Sequence, residues 1–202
     1  MNAIDWGLRE WPTPLWGGRV RAMAWRARFY RLADDVVFCE SVRISGFQNI
    51  RIGAHSKFMA NTFLYANGSS TLAIGSRCSF NHGAYIDASG GQIIFGDNVL
   101  VGPNVVMRAA DHRFDRRDIA ICDQGHVGGS IICGDDVWLG AGVVVTRNVR
   151  IGTGVVVGAG SVVTRDLPDY SVCVGSPARV IRRRGTEEST PGEQDESSPQ
   201  TL

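Results

Sequence analysis

The sequence predicts an all-β fold, a parallel β-helix shaped as a triangular prism. Residues 133–150 and 151–168 form two adjacent blocks of eighteen residues that are identical at about half of their positions. Within each block an aliphatic residue recurs every six residues and is often followed by Gly. Gly and β-branched residues are too dense for a helix, and strict two-residue alternation is absent. A stack of short strands joined by turns satisfies all of these observations.

Each six-residue unit has room for one short strand and one turn, so three units close a coil of eighteen residues. The first aliphatic residue of each unit is predicted to point into the prism, and Gly is expected at turns that need a positive φ. Five coils stacked at about 4.8 Å predict a prism on the order of 24 Å tall. The predicted inward residues are Ile52, Phe58, Leu64, Ile74, Phe80, Ile86, Phe95, Val101, Met107, Cys133, Leu139, Val145, Ile151, Val157 and Val163.

The chain divides into three zones. Residues 1–35 form an N-terminal helical segment rich in Trp and Arg, and residues 36–184 form the repetitive body. Residues 185–202 carry five acidic residues and no Lys or Arg, with almost nothing to bury, so they are predicted to be a disordered acidic tail.

The N-terminal segment is predicted to contain a short amphipathic helix. Its apolar stripe is expected to pack on the prism or on a neighbouring subunit, and Arg21 and Arg28 are expected on the opposite face. A helix lying on a membrane surface is the less favoured alternative. The residues of the stripe are Trp16, Val20, Met23, Ala27 and Tyr30.

Composition restricts the class of protein. A chain of 202 residues is long enough for one domain, and its net charge of +1 argues against nucleic-acid binding through bulk charge. No signal peptide or run of about 20 apolar residues is seen, so membrane association is not expected. The five scattered cysteines form no C-x-x-C motif and are expected as small core residues in a reducing, cytoplasmic location.

The longest interruption of the repeat lies at residues 108–130 and carries the polar stretch "RAADHRFDRRD". A long loop in a regular scaffold is typically functional. His112 lies in this loop, and imidazole, with a reference pKa of about 6.5, can accept a proton near neutral pH. From the residues alone, a catalytic base and a solvated loop histidine are equally good interpretations.

The repeats and the loop together resemble the hexapeptide-repeat acyltransferases, in particular the sugar O-acetyltransferase branch with the galactoside and maltose acetyltransferases. The resemblance covers roughly residues 74–183 and rests on "FNHGAYID", "FGDNVLVGPNVVM", "DHRFD", "GDDVWLGAG", "VGAGSVVTRDLP" and "GSPARVIR". It implies a left-handed β-helix, a homotrimer with active sites between subunits, and acetyl-CoA as co-substrate without a metal. The loop sequence is more similar to that of polysaccharide-modifying members, which implies a surface-polysaccharide precursor as acceptor.

The same resemblance implies roles for residues on the acceptor side. His112 would be the general base for direct transfer, and Asn81 would bind the acceptor hydroxyl, which its amide can orient. Asp87, Asp111 and His82 would contact the acceptor. Asn81 and Asp87 are alternatively turn residues, and for His126 neither a coenzyme contact nor a loop-fixing role is preferred.

On the donor side the resemblance points to the C-terminal coils. Trp138 would lie near the thiol-bearing arm of the coenzyme, with a core aromatic as its alternative. Small residues would let backbone N–H groups approach the pantetheine, and the arginines would meet phosphates through paired hydrogen bonds; their alternatives are prism packing and solvated surface. The donor-binding candidates are Trp138, Ala141, Ala159, Thr164, Arg165, Arg179 and Arg182.

Three other functions compete with sugar O-acetylation. An N-acetyltransferase acting on a nucleotide-linked amino sugar would need the same base. A zinc-dependent carbonic anhydrase on this prism would need three gathered histidines, and the four histidines show no close pair with suitable spacing. A non-catalytic β-helix scaffold would need neither Asn81 nor His112.

Overall fold

The protein is a parallel β-helix in a computed structural model that describes residues 15–185, with side chains from residue 17 onward. Each of the six coils gives one strand to each of three sheets, named A, B and C in chain order, and the strands are parallel except for the last strand of sheet B, which runs antiparallel to its neighbour. Sheets A and C hold six strands each, so the prism has six complete coils, which span about 29 Å at 4.8 Å per coil. The sequence predicted five, because the first coil, built on Leu32, Phe38 and Ile44, contains no Gly to mark its turns.

The strands follow one another in a fixed rotation. Sheet A contains β1 (Arg31–Leu32), β4 (Ile50–Ile52), β7 (Thr71–Ile74), β10 (Gln92–Phe95), β15 (Ser130–Cys133) and β18 (Val149–Ile151). Sheet B contains β2 (Val37–Phe38), β5 (Lys57–Phe58), β8 (Ser79–Phe80), β11 (Leu100–Val101), β16 (Trp138–Leu139), β19 (Val156–Val157), β21 (Ser171–Val174) and β22 (Arg179–Arg183). Sheet C contains β3 (Arg43–Ser45), β6 (Phe63–Tyr65), β9 (Tyr85–Asp87), β12 (Val106–Arg108), β17 (Val144–Val145) and β20 (Val162–Val163).

The interior of the prism confirms the predicted six-residue phase. All of the predicted inward residues are buried, and none is more than 3% exposed. Equivalent residues stack in register between coils, as Phe38, Phe58 and Phe80 do in sheet B. Their rings stack with centroids 5.0 Å and 4.9 Å apart, which adds aromatic contact energy to the burial of apolar area.

The corners of the prism use residues in the left-handed region. Among the described residues ten Gly have positive φ, at corners and also in loops such as that of Gly125, and ten other residues have positive φ as well, among them Asn61 at 60° and Asn104 at 55°. Asn and Asp tolerate this region because their short polar side chains hydrogen-bond locally. The expectation that Gly serves the turns therefore holds for only part of the corners.

The helix α1 (Leu15–Trp25), followed by a 3-10 turn (Arg26–Arg28), closes the end of the prism at the first coil, which we call the lower end. The predicted apolar stripe does not face the prism, because Val20, Met23 and Tyr30 are 40%, 73% and 71% exposed. The side chain of Trp16 and residues 186–202, which include the predicted tail, lie outside the described side chains and residues.

The face of α1 that packs on the prism contains a charged residue. Arg21 is 1% exposed and donates from Nη1 to the carbonyl oxygen of Phe38, so it is not on the solvent side as predicted. Trp25 packs against the ring of Phe38 at 5.6 Å. Gly18 allows the approach, since a Cβ there would lie 2.6 Å from Cγ1 of Val37. The open end of the first coil presents an unpaired backbone carbonyl and aromatic rings, so the face of α1 that can pair with them packs there. The helical spacing of apolar residues alone does not predict this choice of face.

The prism begins earlier than the predicted boundary at residue 35, since β1 starts at Arg31. Cys78, Cys133 and Cys173 are buried, as expected of small core residues, whereas Cys39 is half-buried and Cys122 is exposed on the long loop. Among residues 15–185, no helix has the length and apolarity to cross a bilayer.

Candidate active site

The insertions into the repeat all fall at one edge of the prism. The chain turns from sheet C to sheet A at the C–A edge, and residues 46–49, 66–70, 88–91 and 109–129 are all inserted there. The edges between sheets A and B and between sheets B and C keep short turns, and we call them the A–B and B–C edges. The predicted loop therefore projects from a single edge, between the fourth and fifth coils.

His112 is held in a hairpin at the base of this loop. Strands β13 (Ala110–His112) and β14 (His126–Gly128) pair antiparallel, with His112 directly opposite His126. The two imidazole rings lie with centroids 4.1 Å apart, and both histidines are exposed. The backbone N–H of Arg113 donates to the carbonyl oxygen of Gly125 at 2.9 Å and extends the hairpin. His126 is thus a direct neighbour of the predicted base, which its position fourteen residues away did not indicate.

Asp111 is tied to the fifth coil. Its Oδ2 accepts from Nε of Arg147 at 2.6 Å, and the Arg147 side chain is 29% exposed. Sequence reasoning missed Arg147, although the eighteen-residue repeat places it in the position that Arg165 occupies one coil later. The carboxylate predicted to contact the acceptor is therefore engaged in positioning the strand that carries His112.

Asn81 and His82 lie at the B–C edge, at the end of β8. Oδ1 of Asn81 accepts the backbone N–H of His82 at 2.8 Å and lies 3.4 Å from its Nδ1. The Asn81 side chain therefore supports the turn through its oxygen, as the alternative interpretation proposed. Both side chains are exposed, and the amide nitrogen of Asn81 makes no hydrogen bond with the part of the chain that the structure describes, so it can still donate to a ligand.

Asp87 lies at the end of β9, next to the C–A edge, and is buried. Its Oδ1 accepts the backbone N–H of Ser89 at 2.9 Å, and its Oδ2 lies 3.7 Å from Nε of Arg108. Burial, followed by the Asp87 charge, raises the pKa of the Tyr85 hydroxyl above its usual value. Asp87 thus caps a turn within a polar cluster, which leaves little of the carboxylate open to an acceptor.

Asn81 and His112 do not meet within one chain. They flank sheet C at its two edges, and a three-residue strand of that sheet alone spans about 10 Å. The structure therefore separates the predicted acceptor-binding amide from the predicted base by the width of one face of the prism.

The predicted donor residues fall into two groups. Ala141 and Ala159 are exposed in successive corners of the B–C edge, where the N–H of Gly160 donates to the Ala141 carbonyl at 2.8 Å. Arg179 opens β22 opposite Val174 on sheet B, and Arg182 lies opposite Val172 further along the same strand.

The second group lies on the other edge. Thr164 and Arg165 follow β20 and are exposed at the C–A edge, the edge that carries His112. The donor candidates are thus divided between sheet B with the B–C edge on one side of sheet C and the C–A edge on its other side.

Trp138 lies on the outer face of sheet B rather than in the core. It is 53% exposed and stands in register between Leu100, which is 51% exposed, and Val156. The alternative interpretation as a core aromatic is therefore wrong. This exposed apolar stripe passes three residues from Ala141 and has the form of a surface that covers an apolar ligand arm.

The four histidines are distributed over all three edges. His55 lies at the A–B edge, His82 at the B–C edge, and His112 and His126 at the C–A edge. Within residues 15–185 no three His, Cys, Asp or Glu side chains come together in a group that would hold a metal ion.

Fold and site together define a β-helix protein with a loop-borne histidine at one edge, and comparison with known proteins agrees. Residues 130–165 match the family described as bacterial transferase hexapeptide (six repeats). The chain is 40% identical over 91 residues to galactoside O-acetyltransferase of Escherichia coli K12, covering 45% of this chain and 43% of that protein. It is 31% identical to the crystal structure of a maltose O-acetyltransferase from Clostridium difficile 630, covering 83% of this chain and 75% of that chain, with a TM-score of 0.58.

A further structural neighbour shares the fold alone. AntD, an N-acyltransferase from Bacillus cereus in complex with dTDP and 3-hydroxybutyryl-CoA, has a TM-score of 0.69 at 24% identity, covering 81% of this chain and 88% of that chain. Across eight curated relatives, the matched part spans between 31% and 66% of their length. The chain belongs to the hexapeptide-repeat transferase family.

Proposed function

We propose that the protein is an acetyl-CoA-dependent acetyltransferase that moves the acetyl group to a sugar hydroxyl by direct transfer, with His112 as general base. The family relationship supports the reaction class, and the relatives named for galactoside and maltose O-acetylation support a sugar acceptor. A surface-polysaccharide precursor and a cytoplasmic location remain the predicted acceptor and setting.

The observation that carries the proposal is the position of Asn81 and His112 at opposite edges of sheet C. A threefold axis facing sheet C would bring the C–A edge of one copy against the B–C edge of the next. Each such junction would place His112 from one copy beside Asn81 from its neighbour. A homotrimer would thus assemble three complete sites from three incomplete ones.

The outer face of sheet C supports this assembly. Phe63, Tyr85, Val106, Val144 and Val162 stand side by side on it, in register from the second coil to the sixth. An apolar row along one whole face of a prism is typical of a buried interface, because single exposed apolar residues are usually scattered. Arg43, at the lower end of the row, lies with its guanidinium 5.2 Å from the Phe63 ring centroid.

The chemistry follows from the two edges. His112 would take the proton of the acceptor hydroxyl while the hydroxyl oxygen attacks the thioester carbonyl. The thiolate of coenzyme A would then leave and receive a proton. Asn81, through its free amide N–H groups, would orient the hydroxyl oxygen. Trp138, Ala141, Ala159, Arg179 and Arg182 would hold the donor along sheet B and the B–C edge, and Thr164 and Arg165 would reach it from the adjoining copy.

N-acylation of a nucleotide-linked amino sugar is the second candidate. The fold shared with an N-acyltransferase seen with dTDP supports it, and a histidine base serves an amine as well as a hydroxyl. A scaffold without activity is the third.

Acetyl transfer from acetyl-CoA to a panel of hydroxyl and amino sugars, free and nucleotide-linked, tests the proposal by mass spectrometry. We expect one acceptor class to gain an acetyl group with the wild-type protein and His112→Ala to lower kcat by at least about a hundredfold. Arg116→Gln, in the same loop but outside the hairpin, is the matched control. If no acceptor gains an acetyl group and the protein does not bind acetyl-CoA, the proposal is wrong and the non-catalytic scaffold is the better interpretation.

A further inference from the structure

The lower half of sheet B carries a positively charged cavity, away from the hairpin that carries His112. It measures about 460 Å³, and we call it the basal pocket. Its polar lining consists of Arg19, Asp35, His55, Lys57, Arg77 and Ser79. Three permanent cations and one carboxylate leave two positive charges in excess, before any protonation of His55.

The single carboxylate of the pocket is already shared. Oδ1 of Asp35 lies 3.2 Å from Nη2 of Arg19, and its Oδ2 lies 3.6 Å from Nδ1 of His55. Asp35 therefore neutralises the rim that α1 forms. Asp97 lies outside the lining and accepts the backbone N–H of Ser76 at 2.7 Å, so no carboxylate lines the sheet-B side of the pocket.

Two cations remain on that side. Nε of Arg77 donates to the neutral Oδ1 of Asn98 at 2.6 Å, which orients the guanidinium without cancelling its charge. Lys57 extends from the outer face of β5 between Val37 and Ser79, and it forms no ion pair with any residue in the described range 15–185. A guanidinium fork and an ammonium group converging on one cavity favour a phosphoryl ligand.

The basal pocket adjoins the acceptor side of the candidate site. Ser79 lines the pocket, and Asn81 lies two residues further along the same chain with the same outward parity, about 7 Å away. A sugar placed at Asn81 would therefore leave a group attached to it within reach of Lys57 and Arg77.

The neighbouring face of the prism has the same sign. Arg31 and Arg51 stand in register on the outer face of sheet A and line a second cavity of about 390 Å³. In the proposed trimer, sheet A of one copy would adjoin sheet B of the next where the C–A edge meets the B–C edge. The surfaces on both sides of this junction would then be cationic.

We propose that the acceptor carries a phosphoryl group, which the basal pocket binds through Lys57 and Arg77 while the sugar lies at Asn81. The inference that the acceptor carries the phosphoryl group rests on the proposed acetyl transfer. Anion binding at the basal pocket can be measured without any transfer. A neutral sugar would leave the two cations without a partner, so a phosphate-linked acceptor is the class that this pocket selects.

Binding of inorganic pyrophosphate to the full-length protein by isothermal titration calorimetry is the first test. We expect the Lys57→Gln/Arg77→Gln double variant to bind pyrophosphate at least roughly tenfold more weakly than the wild type, since two charge-assisted contacts are lost. Arg116→Gln/Arg150→Gln is the charge-matched control, because it also removes two positive charges but at residues on the long loop and on sheet A, outside the pocket, and it should bind as the wild type does. Equal binding by wild type and double variant, or no binding by either, would overturn the inference.

Steady-state transfer with three acceptor arms is the second test: a free sugar, the same sugar as its 1-phosphate, and the same sugar linked to a nucleoside diphosphate. One of the two phosphorylated sugars is expected to be the acceptor. For that acceptor the double variant should have a KM roughly tenfold higher than the wild type, while KM for acetyl-CoA stays within about twofold of the wild-type value. Which of the two phosphorylated acceptors is used faster shows whether the natural acceptor is a sugar phosphate or a nucleotide sugar. Transfer to free sugars alone, unaffected by the substitutions, would keep the acetyltransferase and refute the phosphoryl acceptor. Pyrophosphate binding that depends on Lys57 and Arg77, without any transfer, would keep the anion site and refute the enzyme.

Discussion

Nε of Arg147 donates to Oδ2 of Asp111 at 2.6 Å and so joins the residue next to His112 to the fifth coil. The two residues are 36 positions apart in the chain and meet because the long loop returns to the edge from which it leaves. A rigid coil thereby restrains a hairpin in which four of the six strand residues are exposed.

Removing this contact is expected to reduce transfer without unfolding the prism. Arg147→Gln should lower kcat roughly tenfold while KM for acetyl-CoA stays within about twofold, because a displaced base loses orientation rather than donor binding. Asp111→Asn should have the same effect, and the double variant should be no worse than either. Additive losses in the double variant would show that the two residues act separately. Arg116→Gln is the matched control, since Arg116 forms an exposed ion pair with Asp118 in the same loop.

A composite site predicts that two inactive variants restore each other. His112→Ala and Asn81→Ala proteins are each expected to be nearly inactive as homotrimers. When they are mixed in equal amounts, denatured and refolded together, about a quarter of the sites should combine an intact His112 with an intact Asn81. Activity near that fraction, measured with acetyl-CoA and the preferred acceptor, would support sites between copies. Mixed refolding that stays as inactive as the separate variants would place both residues in one chain's site.

The apolar outer face of sheet C predicts a specific weak point in the assembly. Val144→Glu should convert the protein to monomers, because three carboxylates would be buried near the axis without partners. Val156→Glu, the same change on the outer face of sheet B, should leave the assembly intact. Light scattering coupled to size exclusion distinguishes the 21.9 kDa chain from three times that mass. A monomeric Val156→Glu with a trimeric Val144→Glu would place the wrong face at the axis.

The buried Arg21 makes a stability prediction. Arg21→Met keeps most of the side-chain volume but removes the donor to the buried carbonyl of Phe38, which should cost about 1–3 kcal/mol in the free energy of unfolding. Arg19→Met, two residues earlier on the exposed face, removes only a surface ion pair and should cost no more than about 1 kcal/mol. Urea denaturation followed by circular dichroism compares them. Equal losses would mean that the Arg21 hydrogen bond contributes nothing specific.

Thiol reactivity should separate the cysteines by environment. Burial raises the pKa of Cys133 to about 12, so its thiolate fraction at pH 8 is on the order of 10⁻⁴. Burial also raises the pKa of Cys78, whereas Cys122 is exposed on the long loop. We expect one fast thiol per native chain with an aromatic disulfide reagent at pH 8, lost in Cys122→Ser, and the rest only after unfolding. Burial also raises the pKa of the half-buried Cys39, which is why it is not expected to react fast. A fast phase that survives Cys122→Ser would show that Cys39 or one of the buried thiols is accessible.

Local repetition made most of the prism predictable. All fifteen inward residues that the six-residue phase predicted between Ile52 and Val163 are buried, because each unit independently repeats the same alternation of core residue and turn. The first coil was not predicted because it contains no Gly. The stripe on α1 does not face the prism, because Arg21 and Trp25 pack against its open end instead.

The sequence by itself determined the six-residue unit, its inward residue and the place in the chain where the long loop interrupts the coils. Only the tertiary structure decided that His112 faces His126, that Arg147 holds Asp111, that Asn81 lies across sheet C from the proposed base, and that Lys57 and Arg77 share a cavity. The core follows from a pattern repeated within each coil. Contacts between residues about twenty or more positions apart depend on how coils and insertions stack, because each insertion shifts the sequence spacing of neighbours without shifting their positions in space.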